Sequence, residues 1–264
     1  MPTRSSIVQS RHNQRVKALR AALRRGINEA GEIGIEGPHL IEEAMRSGAE
    51  ITAVFIREGS SMISLPAMEE AILLPREIFE SAVTTESPQG IAALVRAPVW
   101  SLDDCLRERV PLLLITAGVQ DPGNLGTLIR SSEAFGAGGV LMLPGTVSPW
   151  NAKCIRASSG SVFRLPVISV QPSEAFARLR ERGIRILAAS ADGAIPATAA
   201  DLNAPAAMVI GNEGAGVSRE LLAECDGAIR IPSPGPVESL NAAVAGSILL
   251  YEAARQRAAA ARKA

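Results

Sequence analysis

Residues 111–143 read PLLLITAGVQDPGNLGTLIRSSEAFGAGGVLML. The apolar run PLLLITAGV (111–119) reads as a strand, NLGTLIRSSEAFG (124–136) as a helix and GGVLML (138–143) as a second strand. Strand, helix and strand in that order make a crossover unit. Two strands joined through a helix lie parallel, so this stretch predicts a parallel sheet covered on both faces.

Downstream the alternation continues. A helix near 150–158 precedes strand LPVISV (165–170), and helix SEAFARLRERG (173–183) precedes strand IRILAAS (184–190). Strand AAMVIG (206–211), helix SRELLAEC (218–225), strand GAIRIP (227–232) and helix ESLNAAVAGSILLYEAARQRA (238–258) complete the half, and the Ala-rich end (258–264) is expected to fray. Upstream lies a smaller α/β unit. An amphipathic helix over 12–26 is followed by strand GEIGIEG (31–37), helix PHLIEEAMRSG (38–48) and strand ITAVFIRE (51–58). Strand AILLP (71–75), a helix near 76–81 and strand GIAALVRA (90–97) follow, and Pro98 with SLDDCLRER (101–109) reads as a linker. The expected division is 1–98, a 99–110 linker, and 111–264.

Bulk properties narrow the class. With 47% hydrophobic and 20% charged residues, the 264-residue chain is composed like a soluble globular protein. No apolar run approaches the roughly 20 residues of a bilayer span, and no apolar segment follows the basic start, so a cytoplasmic location is expected. Cys105, Cys154 and Cys225 lack zinc-type spacing and are odd in number; with only His12 and His39 beside them, no metal site is expected. The formal net charge is zero, yet residues 1–28 hold seven cations and no acid. That block suits a phosphate-facing arm or helix, although a solvated helix face would look the same.

Three loops follow predicted strands, where open α/β sheets collect ligands. In DPGNLGTLIR (121–130), Pro122, Gly123 and Gly126 are expected to shape a tight turn, and Arg130 to lie on the first turns of the helix, able to face the loops. In GNEGAGVS (211–218), the spacing G-x-x-G-x-G departs from the dinucleotide fingerprint. Glu213 in that turn would repel a polyphosphate, which favours a cofactor lacking phosphate. In IPSPGPVESLN (231–241), Glu238 and Ser239 suit capping of the last helix.

Together the three loops resemble the SpoU (TrmH) family of RNA 2′-O-methyltransferases in the SPOUT class. The matching motifs are Asn124-x5-Arg130-x4-Ala134-Phe135-Gly136, then Gly211-Asn212-Glu213-Gly214, then Ile231-Pro232 with Glu238-Ser239-Leu240-Asn241. The segment IRASSGSVFRLPV (155–167) is also similar to the family's. EGPHLIEEAMRSGAEITAVFIRE and TTESPQGIAALV (84–95) look like the L30e-like substrate-binding domain found in many members.

The resemblance implies an α/β fold: a small L30e-like domain, then a trefoil-knotted domain with a mainly parallel sheet. It implies S-adenosyl-L-methionine as methyl donor, held near Ala188, Ala189, Ser190, Gly211, Asn212, Gly214, Ile231 and Leu240. It implies catalytic roles for Arg130, Asn124, Glu213, Ser239 and Asn241, a homodimer, and structured RNA as substrate, with ribosomal RNA favoured over transfer RNA. RNA contacts are expected from Arg130 and from Arg11, Arg15, Lys17 and Arg20 of the basic block. The rival readings are a binding-only RNA protein, a nucleotide-dependent oxidoreductase, which would need the missing G-x-G-x-x-G, and a knotted enzyme acting on a base nitrogen.

Overall fold

The computed structural model describes residues 4–60 and 70–262; the first three residues of the basic block and the last two of the Ala-rich end lie outside them. The chain forms two compact units, one of Met1–Val99 with Ser148–Arg164, the other of Trp100–Val147 with Leu165–Ala264.

The first unit opens with β1 (Arg4–Ile7), α1 (Gln14–Arg25), β2 (Glu32–Glu36), α2 (Pro38–Arg46), β3 (Ile51–Arg57), β4 (Glu70–Leu74), α3 (Arg76–Ala82) and β5 (Ile91–Arg96). Its sheet runs β1-β4-β3-β5-β2. The pairs among β1, β4 and β3 are parallel, whereas β5 is antiparallel to both β3 and β2. The basic block is therefore a packed element. Asn13 caps α1 by accepting from the Arg15 N–H at 2.8 Å. Val16, Leu19, Ala22 and Leu23 recur at helical spacing and bury that face against the sheet beside Phe55 and Phe79. The strand β1 was not expected, because four residues of polar RSSI carry no alternation to read.

The second unit begins with α4 (Leu102–Cys105), β6 (Leu112–Ala117), α5 (Pro122–Ala134) and β7 (Gly139–Leu143). The chain then gives α6 (Ala152–Ser158) and a 3₁₀ turn (Ser161–Phe163) to the first unit. There Arg164 bonds Glu43 at 2.7 Å, and His39 Nε2 lies 3.0 Å from Ser159 Oγ. The second unit resumes with β8 (Val167–Ser169), α7 (Pro172–Glu181), β9 (Arg185–Ala189), β10 (Ile195–Pro196), β11 (Ala206–Gly211), α8 (Arg219–Ala223), β12 (Gly227–Arg230) and α9 (Ala242–Ala261). Its sheet, β10-β12-β9-β11-β6-β7-β8, is parallel at every pairing.

Three expectations change. The stretch read as a linker contributes Cys105 and Leu106 to the second unit's core, because its apolar positions are as inward as those of the strands. The helix expected from Asn124 starts at Pro122: Asp121 caps it and proline's fixed φ suits the first turn, so Gly123 and Gly126 lie inside the helix. The last helix starts at Ala242, not Glu238. Asn241 takes the cap, its Oδ1 accepting from the Ala243 and Val244 N–H groups, which leaves Glu238 and Ser239 in the preceding loop. Two-residue β10 also went unread.

The three cysteines are free thiols. Burial pushes Cys105 and Cys154 up to about 12 and Cys225 up to about 11, so none offers a thiolate near neutral pH.

Candidate active site

A parallel sheet brings every strand's C-terminal end to one edge. In register, Gly211 stands beside Ala117, Ala117 beside Leu143, Val209 beside Ala188, and Ile229 beside Ala189. The loops starting at 118, 144, 190, 212 and 231 consequently share that edge.

Hydrogen bonds join the three loops picked out in the sequence. Asn241 donates through Nδ2 to Asn124 Oδ1 at 3.0 Å, and Asn124 Nδ2 donates to Glu213 Oε1 at 3.0 Å. Glu213 also accepts from the backbone N–H groups of Gln120 (3.2 Å) and Asp121 (3.1 Å). Loss of solvent around Glu213 raises its carboxyl, but Asn124 and these backbone donors outweigh it and hold it below its usual value. Glu213 is thus an acceptor-only anion at neutral pH. Among the described residues no cation pairs with it.

Asn212 shapes the neighbouring turn. Its Nδ2 donates to the Gly118 carbonyl at 2.8 Å, and its Oδ1 accepts from the N–H groups of Gly214 (2.9 Å) and Ala215 (3.0 Å). Gly211 must lack a side chain, since a Cβ there would sit 2.1 Å from the Gly216 carbonyl carbon. With both bonds to its Oδ1 and one from its Nδ2 spent on the turn itself, Asn212 holds the shape of this turn, whose backbone groups can face a ligand.

The remaining candidates stand apart from the bonded cluster. Arg130 is exposed on α5 and makes no hydrogen bond or ion pair with the described residues. It lies about 9 Å along the helix axis and about 120° around from Asn124, beyond the first turns. Ser239 is exposed, while Ile231 and Leu240 are half-buried in the loop before α9. Ala188 is buried, with Ala189 and Ser190 half-buried at the end of β9. In the first unit Arg11 and Lys17 are exposed, but Arg15 pairs with Glu32 at 3.5 Å and Arg20 donates to Ser81 O and Oγ at 3.2 and 3.1 Å.

Two positioning groups were missed. Asp121 holds the Asn124 N–H at 2.9 Å, and its Asp-Pro pair is a legible helix start. Thr146 accepts from the Gly118 N–H at 3.2 Å and donates to the Thr116 carbonyl at 3.1 Å, tying the loop after β7 to the loop after β6. No sequence signal marks it.

Comparison with known proteins agrees with this geometry. Residues 111–251 match the SpoU rRNA Methylase family, and residues 13–93 match the MRM3-like substrate binding domain. Over 246 residues, covering 92% of this chain and 97% of the relative, the sequence is 33% identical to the 23S rRNA (guanosine(2553)-2′-O)-methyltransferase RlmP of Bacillus subtilis (strain 168). The fold superposes on the SpoU methyltransferase AviRb of Streptomyces viridochromogenes in complex with AdoMet, with TM-score 0.84 and 28% identity across 94% of this chain and 99% of that one. An AdoMet-bound rRNA methyltransferase from Sinorhizobium meliloti gives TM-score 0.82 and 27% identity across 95% and 98%.

Proposed function

The chain belongs to the SpoU rRNA methylase family, and from that premise we propose that it methylates a ribose 2′-hydroxyl of 23S ribosomal RNA. It is an RNA 2′-O-methyltransferase that uses S-adenosylmethionine. The observation that carries our reading of the site is the chain of hydrogen bonds Asn241–Asn124–Glu213, which holds three strand-end loops as one body.

The residues present fit the cofactor. The ends of β12, β9 and β11 are neighbours in the sheet, so Ile231, the backbone of Ala188–Ser190, Gly211, Asn212 and Gly214 can line one continuous cradle, with Leu240 proposed beside it from the loop before α9. The Glu213 anion, which has no cationic partner among the described residues, suits a ligand that carries a positive sulfonium and no phosphate. When bound, S-adenosylmethionine supplies an electrophilic methyl group for in-line transfer to the ribose oxygen.

The protein's task is to align the 2′-hydroxyl and arrange an exit for its proton. Arg130 stays protonated and cannot accept that proton. Its role is to clamp an RNA phosphate with its planar fork and so orient the ribose, leaving a phosphate oxygen or water as acceptor. Glu213, already holding three donors and shifted below its usual value, is a weak base; it positions Asn124 and the 120–121 backbone. Asn241 and Ser239 complete the wall on the α9 side.

The first unit would select the RNA through the exposed cations Arg11 and Lys17, with Arg15 and Arg20 also tying α1 to β2 and α3. The division proposed is a substrate-binding part over 1–98 and a methyltransferase part over 111–264, working in the cytoplasm. No described helix is long and apolar enough to cross a membrane. A homodimer is supported by an apolar groove of about 290 Å³ on the α5–α9 face, where Val244, Ile248 and Tyr251 remain exposed beside Phe135.

Alkaline-cleavage mapping of total RNA from cells with and without the gene tests the reaction and its substrate together. A 2′-O-methyl group resists cleavage, so one gap in the 23S ladder should disappear with the gene. Unchanged 23S ladders would overturn the substrate, and a gap lost from transfer RNA would replace it.

A further inference from the structure

The residue just before the third motif has no part in the resemblance, yet its side chain reaches back across the strand end. Arg230 closes β12, and its Nη1 donates to the carbonyls of Gly193 (2.8 Å) and Ala194 (2.9 Å) in the loop after β9. The main chain of β12 grips the same loop. Ser190 N–H donates to the Ile229 carbonyl at 2.9 Å, and Gly193 N–H turns back onto the Ser190 carbonyl at 3.1 Å. Gly193 is pressed against this strand so closely that a Cβ would stand 2.6 Å from the Ile229 carbonyl carbon and 2.8 Å from the Arg230 nitrogen.

Pairing with β10 does not need the guanidinium, because backbone bonds such as Ala197 N–H to the Arg230 carbonyl (2.8 Å) already supply it. What the side chain adds is the orientation of two peptide planes. In a trans peptide the N–H points opposite to the preceding C=O. Drawing the Gly193 carbonyl toward Arg230 therefore turns the Ala194 N–H the other way, and that N–H has no acceptor among the described residues. The loop that begins at Ser190 thus carries a fixed, unshared donor at the strand-end edge where the cofactor cradle lies.

We propose that Arg230 is a positioning residue for the methyl donor: by holding the Gly193 and Ala194 carbonyls it sets the 190–195 loop as one wall of the S-adenosylmethionine site. This rests on the cofactor reading above. Arg230 itself need not touch the ligand.

Arg185 provides an internal control. It stands at the opposite end of β9 and ties down another backbone carbonyl, that of Asp201, away from the proposed cradle. Calorimetry with S-adenosylmethionine on the full chain should show binding by wild type, and about tenfold weaker binding by Arg230→Met, the equivalent of about 1.4 kcal/mol. Arg230→Lys should recover most of the loss, since an ammonium can donate to both carbonyls. Gly193→Ala, which shifts the loop without removing the guanidinium, should weaken binding in the same direction. Arg185→Met should bind as wild type does. Amide exchange gives a readout independent of turnover: the cofactor should protect the Ala194 N–H in wild type and much less in Arg230→Met.

Wild-type affinity in Arg230→Met would overturn the proposal while leaving the cofactor reading intact. Equal losses in Arg230→Met and Arg185→Met would also overturn it, by reducing Arg230 to general support. No binding by wild type would instead sink the cofactor reading itself.

Discussion

Two carboxylates, one in each unit, are held below their usual values in different ways. Glu32 in the first unit is buried, which raises its carboxyl, and is brought down by Thr52 (2.6 Å) and Asn28 (2.8 Å) with Arg15 and Arg96 adding charge. Glu213 in the second unit is brought down by neutral donors alone. The first arrangement neutralises a charge inside a fold. The second fixes an anion at the mouth of a strand-end site and, among the described residues, leaves its charge uncompensated, which is what a cationic ligand needs. The same contrast runs through the arginines: Arg15 and Arg20 serve their own unit, whereas Arg130 is exposed and engages no partner among the described residues.

The largest effect should come from that arginine contrast. Arg130→Lys keeps the charge but loses the planar fork, and should lower turnover by about 10²-fold or more, the scale of losing one preorganised donor. Affinity for S-adenosylmethionine should stay unchanged. Arg20→Lys, at the engaged position, should leave turnover near wild type. Near-normal turnover in Arg130→Lys, measured by single-turnover methyl transfer, would sink the bidentate role.

Next comes the carboxylate pair. Glu213→Gln sets an amide among donors that need an acceptor, loosening Asn124 and the 120–121 backbone; misplacement of this kind costs about 10²-fold in rate. Glu32→Gln should cost stability instead, seen as a lower melting temperature with site chemistry intact. The pH sign follows from the shifts. Each folded-state value lies below the unfolded one, so the stabilisation is fully present above the unfolded value, about 4.3, and is lost as pH falls through the folded one. Cofactor affinity, to the extent that it depends on Glu213, should therefore be flat from neutral pH down to about 5 and fail only in more acid solution. A midpoint near pH 6.5 by calorimetry would contradict this assignment.

The sequence made the second unit more legible than the first, and for physical reasons. Long apolar strands alternating with helices leave one reading, a parallel sheet, and a parallel sheet dictates which loops converge. Asn124, Glu213 and Asn241 could be picked out because the motifs that resemble the family's fall in the segments that follow such strands. Their bonding to one another could not, because it depends on where caps fall: Asn241, not Glu238 or Ser239, caps α9, and Asp121 caps α5 three residues before Asn124. Thr146 and Arg230 were invisible because their partners are backbone groups of distant loops. In the first unit the count of cations was legible, but which of them face solvent was decided by Ser81 and Glu32, far away in sequence.

Two glycines carry the comparison into packing. A Cβ on Gly34 in β2 would meet Leu23 of α1 at 2.7 Å from Cγ and 2.9 Å from the backbone nitrogen, so the helix itself must move. A Cβ on Gly246 in α9 would meet side chains alone, the end of Leu128 at 2.3 Å and Ile210 Cγ1 at 3.3 Å, although α5 and α9 carry Asn124 and Asn241. Overpacking of this kind typically costs about 1–3 kcal/mol. Gly34→Ala should show it as lost stability with cofactor affinity unchanged. Gly246→Ala should melt closer to wild type and yet lower turnover, because Leu128 can yield while the α5–α9 spacing shifts. Calorimetric melting alongside methyl-transfer assays separates the two outcomes.

The smallest expected effect concerns RNA contact by the first unit. Each phosphate neutralised by a cation steepens the salt dependence of binding by about one unit in the log–log slope. Arg11 and Lys17 are the exposed candidates, so Arg11→Glu with Lys17→Glu should flatten that slope by about two and weaken RNA binding several-fold at moderate salt. Melting temperature should hold, because neither side chain supports α1. Arg15→Gln with Arg20→Gln should do the reverse, lowering stability through Glu32 and Ser81 while moving the salt slope less. If both pairs flattened the slope equally, the engaged arginines would also reach the RNA, and the line drawn between fold-serving and ligand-serving charges in this unit would have to be abandoned.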